Sequence, residues 1–172
     1  MPRPSDNRIG ESGFGLLETV IVAGLLAALA TGVAQVFAVS ARASQAARVQ
    51  TMGAVLAAQK MEQLRSLTFA HAPGGEPLAD TTTDLGADPP GGGGAGLQRA
   101  PEGSLERDVP FYVDYLGPGG ARVAGREQAA YIRRWAVVPF ESDPDNLLVL
   151  QVRVVTVAGG ECRLVSLKAR RP

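Results

Sequence analysis

The segment from Thr19 to Ala41 holds 23 residues without one charge, and 17 of them are apolar. As a helix rising about 1.5 Å per residue it reaches roughly 35 Å, slightly more than the ~30 Å hydrocarbon core of a bilayer. One membrane span is therefore available close to the N-terminus. The rest of the chain must fold around that commitment. The 17 basic and 17 acidic side chains cancel, so a nucleic-acid partner is not expected. With 45% hydrophobic and 20% charged residues, the chain is neither a disordered tail nor a multi-span membrane protein.

Three readings of the run compete: a cleaved secretory signal, a permanent anchor, or an anchor that later serves another purpose. Ala28-Leu29-Ala30 offers a small-x-small cleavage pattern. A secretory signal also calls for a positive leader and a short apolar core of about 7 to 15 residues. Here Asp6, Glu11 and Glu18 offset Arg3 and Arg8, and the apolar run continues to Val39. Glu18 is the informative residue, a carboxylate set directly against the run with no basic neighbour in sequence. At a membrane boundary such an acid either sits at headgroup level, favoured by the helix dipole, or has a partner and a function.

Glu18 closes the string Gly13-Phe14-Gly15-Leu16-Leu17-Glu18, followed by Thr19-Val20-Ile21-Val22-Ala23. This resembles the N-terminal signature of type IV prepilins and the related type II secretion pseudopilins. The resemblance implies a hydrophilic leader of residues 1–13, cut between Gly13 and Phe14 by a membrane prepilin peptidase that N-methylates the new first residue. Glu18 becomes the fifth residue of a mature chain of 159. Its implied role is to pair with the N-terminal amine of an adjacent subunit when the helices bundle, since buried charges persist when paired. Gln35 stands where major pilins often carry a helix-bending proline, which points toward a minor subunit. Arg3 and Arg8 are matched by Arg42 and Arg48 across the run, so charge asymmetry sets no orientation. A single pass through the inner membrane, with the C-terminal part outside the cytoplasm, is what the resemblance implies.

Residues 14–41 are thus expected to be the membrane and filament-core helix, and residues 42–70 its amphipathic continuation, being free of proline and rich in good helix formers. Val49, Met52, Leu56, Leu64 and Leu67 form one apolar stripe, read as opposite to Arg48, Lys60, Glu62 and Arg65. Residues 71–108 read as a variable connection: from Pro73 to Gly103 glycine and proline dominate and aromatic residues are missing, so a mobile segment is expected. Residues 109–172 read as four antiparallel strands: Val109–Tyr115, Ala130–Val138, Leu147–Val157 and Cys162–Ala169. Leu148, Leu150, Val152 and Val154 are the apolar face of the third, with Val165 and Leu167 facing them from the fourth. A sheet with one apolar face needs a cover, and the amphipathic half of the helix is the candidate. The expected fold class is α+β and pilin-like, a long N-terminal helix packed on an antiparallel sheet of about four strands. The string Ala58-Gln59-Lys60-Met61-Glu62-Gln63-Leu64-Arg65 and the Arg133-Arg134-Trp135 segment also resemble V-type minor pilins, the former I-type pseudopilins as well.

One cysteine, Cys162, and one histidine, His71, leave no disulfide and no His/Cys metal set. Glu141, Asp143, Asp145 and Asn146 around Pro144 could hold calcium through Asp143 and Asp145 or be turn chemistry, the favoured reading. Trp135 reads as core rather than surface, Cys162 as a small buried residue, and His71 as the end of the helical run. No nucleophile, base and orienting acid occur together, so neither enzymatic activity nor a cofactor is expected. The expected function is that of a minor pilin or a minor secretion pseudopilin with a structural and priming role. Its expected partners are prepilin peptidase, other major and minor pilins or pseudopilins, the inner-membrane assembly platform and, before assembly, membrane lipid. The rival of another class is a secreted or anchored β binding module with an ordinary signal sequence.

Overall fold

A computed structural model describes residues 15–157 and 159–172. The chain divides between Gln45 and Ala46 into two compact units. A single helix, α1 (Leu16–Ser66), accounts for the described part of the first apart from Gly15 and enters the second. It carries no proline, and Thr19, Thr31 and Thr51 donate their hydroxyls to the carbonyls four residues earlier, which satisfies these groups within the helix itself.

In the second unit α1 buries Gly53, Leu56, Ala57, Lys60, Met61 and Leu64. These positions alternate steps of three and one, the period of a helix face laid on a sheet. Lys60 corrects the expected stripe, because it lies on the packed face and is 1% exposed. The helix ends where the ammonium of Lys168 donates to the Arg65 carbonyl, a cation meeting the negative end of the helix dipole.

The connection after the helix is folded, against the expectation of a mobile segment. Strands β1 (Phe69–His71) and β2 (Pro77–Ala79) form one antiparallel ribbon, and β3 (Thr83–Asp84) and β4 (Gly91–Gly92) another. His71 therefore lies in a strand, with its Nδ1 3.2 Å from the Arg171 carbonyl oxygen, and does not end the helix. The Asp80 carboxylate accepts from the Thr82 and Thr83 amides and the Thr83 hydroxyl, while the amides of Gly94, Gly96 and Leu97 bond back to Thr82, Thr83 and Asp80. At Gly94 a Cβ would stand 2.2 Å from the Asp84 Cα, so glycine there permits a backbone approach that no other residue allows. Apolar residues are few in this segment, yet Leu85, Leu97 and Leu105 are all buried in the core.

Four strands make the main sheet: β5 (Val113–Leu116), β6 (Tyr131–Pro139), β7 (Leu147–Thr156) and β8 (Glu161–Ala169), each antiparallel to the next in that order. The α+β layout expected from the sequence is present: the helix from Val49 onward contributes to the same core as the sheet. The first strand is shorter than expected because Phe111, after Pro110, takes φ 68° and turns the chain before β5 begins. Tyr112, Asp114 and Leu116 are consequently the buried set. On β7 the expected face of Leu148, Leu150, Val152 and Val154 is buried. On β8 the parity is the reverse of that expected: Val165 and Leu167 are 60% and 56% exposed. Pairing of Leu164 with Val152 and Lys168 with Leu148 turns the other set toward the helix side. Strand β6 is buried on both faces from Tyr131 to Val137, because the segment around Ala100 and Leu105 covers the side away from the helix.

Candidate functional site

The described chain presents two features with chemistry beyond packing, the exposed N-terminal part of α1 and a buried ionic cluster. At the first, Gly15 precedes the helix and its carbonyl accepts from the Glu18 and Thr19 amides at 2.9 and 3.2 Å. Glu18 lies in the first turn and is exposed, where the N-terminal end of the helix dipole favours its negative charge. Gly13 and Phe14 lie outside the described residues. Along the uncharged run every residue is exposed, including Leu29, Val33 and Phe37. The helix is long and apolar enough there to cross a membrane. Ala23, Ala27, Ala30, Ala34 and Ala38 recur at helical spacing along one side, and Val22, Leu26, Leu29, Val33 and Phe37 along another. A helix divided this way offers a side on which a second backbone approaches closely.

The second feature lies in the C-terminal unit. Asp114 of β5, 1% exposed, receives a bidentate pair from Arg133 of β6, with Nε–Oδ1 at 2.9 Å and Nη2–Oδ2 at 2.7 Å. The Lys60 ammonium stands 3.0 Å from the same Oδ2, donates to the Leu85 carbonyl at 2.6 Å, and lies 4.1 Å from the Trp135 ring centroid. Arg133 also donates through Nη1 to the Leu56 carbonyl of α1 at 2.9 Å. Helix, connection, β5 and β6 therefore meet at one carboxylate. Two buried cations share it, an arrangement tolerated because carbonyl oxygens and the Trp135 face receive the remaining charge.

Arg134 serves the other face of β6. Its Nε and Nη2 reach Asp108 Oδ1 at 2.8 and 2.6 Å, while Tyr115 and Arg126 occupy Oδ2. Partial burial works to raise the Asp108 pKa, but the hydrogen bonds from Arg134 and Tyr115 and the positive charge of Arg134 and Arg126 outweigh it and hold it low. The neighbouring pair Arg133-Arg134 thus splits across the sheet, each arginine with its own aspartate. Sequence reasoning did not find these ion pairs. The available signal was strand alternation, which puts consecutive residues on opposite faces and so calls for two separate carboxylates.

Burial pulls the Lys60 ammonium from its ordinary 10.5 down to about 8, with Asp114 opposing and Arg133 and Arg122 reinforcing the shift. The unfolded chain then binds more protons than the folded one between pH 8 and 10.5, so stability rises with pH across that window. The gain due to Lys60 is about 3 kcal/mol. Lys168, lowered by burial and by nearby Arg171 and Arg65, acts in the same direction. Burial raises Tyr112 and Tyr115, which oppose the gain where they ionise, above their ordinary value of 10. Urea unfolding followed by Trp135 fluorescence at about pH 7.5, 8.5 and 9.5 should show wild type gaining stability on Lys60→Met as pH rises. A constant difference between the two proteins would remove the shift assigned to Lys60.

The remaining sequence-predicted residues separate cleanly. Trp135 is buried at 1% exposure, whereas Cys162 is half-buried, its Cβ 3.8 Å from where a Cβ on Gly53 would lie. In the β6–β7 connection Asp143 is half-buried and Asp145 exposed. There the Asp143 amide donates to the Phe140 carbonyl, the Asp143 carbonyl accepts from Leu147, and Asn146 Nδ2 donates to Asp143 Oδ1. Asp143 and Asn146 are engaged as turn residues. Among the described residues no three His, Cys, Asp or Glu side chains stand together as a metal set. Set against protein-family models, curated proteins and solved structures, the chain matches none of them.

Proposed function

We propose that the chain is a minor pilin or pseudopilin, a structural and priming subunit of a type IV pilus-like or secretion filament. In this reading it is made as a single-pass inner-membrane precursor and cut after Gly13 by prepilin peptidase. Its N-terminal helix then carries it from lipid into the filament, with other pilins or pseudopilins and the assembly platform as partners. The observation that supports it most is the continuity of one 51-residue helix. Its exposed apolar part begins with Glu18 in the first turn, and its last turns are bolted into the core of an antiparallel sheet. A helix of that kind serves two surroundings in succession, lipid and then other helices of the same sort. A pilus subunit and a secretion pseudopilin share this chemistry.

Fractionation and topology test the anchoring step. The precursor should stay in membranes after alkaline carbonate extraction, and a C-terminal reporter active only outside the cytoplasm should be active. Release as a soluble chain starting at Thr31 would instead assign the protein to the secreted-module class and refute the anchor.

A further inference from the structure

We propose that the outer edge of β8 is a docking site for an extended strand from a different polypeptide, one with apolar side chains at alternate positions and a carboxylate opposite Arg163. The site is independent of the filament reading of the N-terminal helix.

The two edges of the main sheet are finished differently. Beyond β5 the chain turns back, with Leu116 bridging Arg122 and the Val123 amide bonding to the Tyr115 carbonyl. The rest of β6 is covered where the Trp135 amide donates to Tyr112 and the Ala100 amide to Val137. Strand β8 pairs with β7 in unbroken register from Glu161 to Ala169. On its other side, among the described residues, no backbone bond is made until Arg171 meets β1. Every second residue of an edge strand turns its N–H and C=O outward, and soluble proteins guard such edges with proline, bulges, short length or lysine. This strand is nine residues long with no proline or bulge, and its one lysine, Lys168, is turned inward onto the helix end.

The surroundings of the edge suit a strand with side chains. Ala58 and Met61 of α1 and Leu164, Val165 and Ser166 of β8 line an open groove of ≈ 220 Å³, rimmed by Glu62 and Arg65. Leu167, 56% exposed, adds apolar surface on the face away from the helix. A paired strand would cover both faces, as in recognition by strand addition.

Charge selects the partner. Glu62 is held by Arg65 at 3.2 Å and Glu161 by Arg153 at 2.8 Å. Arg163 donates to the neutral Gln151 Oε1 and has no carboxylate partner among the described residues. A second copy would bring the same cationic edge against itself with no spare acid, whereas an acidic strand neutralises Arg163.

The probe is a fluorescent heptapeptide of valine and threonine with a single glutamate placed to fall opposite Arg163, titrated by anisotropy against the full chain in detergent micelles. Binding should saturate, and it should weaken at least about tenfold when alternate peptide amides are N-methylated, a change that removes strand pairing and leaves the side chains intact. Arg163→Glu, at an exposed position, should weaken it comparably, with Trp135 fluorescence confirming the fold. No saturable binding, or equal binding of the N-methylated peptide, would overturn the site. So would self-association of the chain alone that Val165→Glu abolishes, because that would assign the edge to a second copy.

Discussion

Asp114→Asn should destabilise the C-terminal unit by about 3 to 5 kcal/mol, the cost of removing one partner from a buried ion pair. The carboxylate is the single acid between Lys60 and Arg133, both almost fully buried. Without it two ammonium-type charges face each other in the core, and an amide in its place turns a donor or a weaker acceptor toward the arginine fork. Conformational rescue is limited. Arg133 is also tied to the Leu56 carbonyl and Lys60 to the Leu85 carbonyl, so neither cation leaves for solvent without breaking the helix–sheet contact. A loss of this size is a large fraction of the 5 to 15 kcal/mol typical of a folded domain. Lys60→Met supplies the contrast: it removes the surplus cation, leaves the bidentate Asp114–Arg133 pair, and should change stability by less than about 2 kcal/mol near neutral pH. Urea midpoints read from Trp135, which lies against Lys60, measure both. Equal effects from the two substitutions would mean that charge balance does not govern the cluster.

Glu18→Ala should leave leader removal intact and reduce filament incorporation by at least about tenfold, equivalent to 1.4 kcal/mol or more. The side chain is exposed in the first turn of α1 and makes no ion pair with a described residue, so the C-terminal unit should fold unchanged. In the proposed assembly its carboxylate leaves water among apolar helices, where it is tolerated only beside a cation. In that proposal the amine exposed on a neighbouring Phe14 is the cation, and the pairing would set the axial stagger between subunits. Glu18→Asp keeps the charge on a shorter arm and should restore part of the incorporation. Immunoblots comparing sheared filaments with membranes read the ratio, and normal incorporation of Glu18→Ala would remove the pairing role.

What the sequence made legible followed from periodicity. The uncharged run, the helix through Leu64 and the inner face of β7 each depend on a pattern that one element carries by itself. The misses depend on partners far along the chain. Lys60 sits four residues from both Leu56 and Leu64, on the core face by spacing alone, and its chemical type argued for solvent until Asp114 was in place. On β8 both alternating sets contain apolar residues, so only pairing with β7 and the helix end waiting for Lys168 decide which set turns inward. In the Gly/Pro-rich segment, apolar content understated order because glycine lets backbones approach and bond where side chains are scarce. Of the candidate site, Glu18 was legible from its place beside the run, and the buried cluster was not.

A processed pilin-like subunit is recognised by the mass of its mature N-terminus. Purified from cells with active prepilin peptidase, the protein should begin at Phe14 and carry one N-methyl group, giving a mature chain of 159 residues. An intact Met1 or a start at Thr31 in those cells would contradict it.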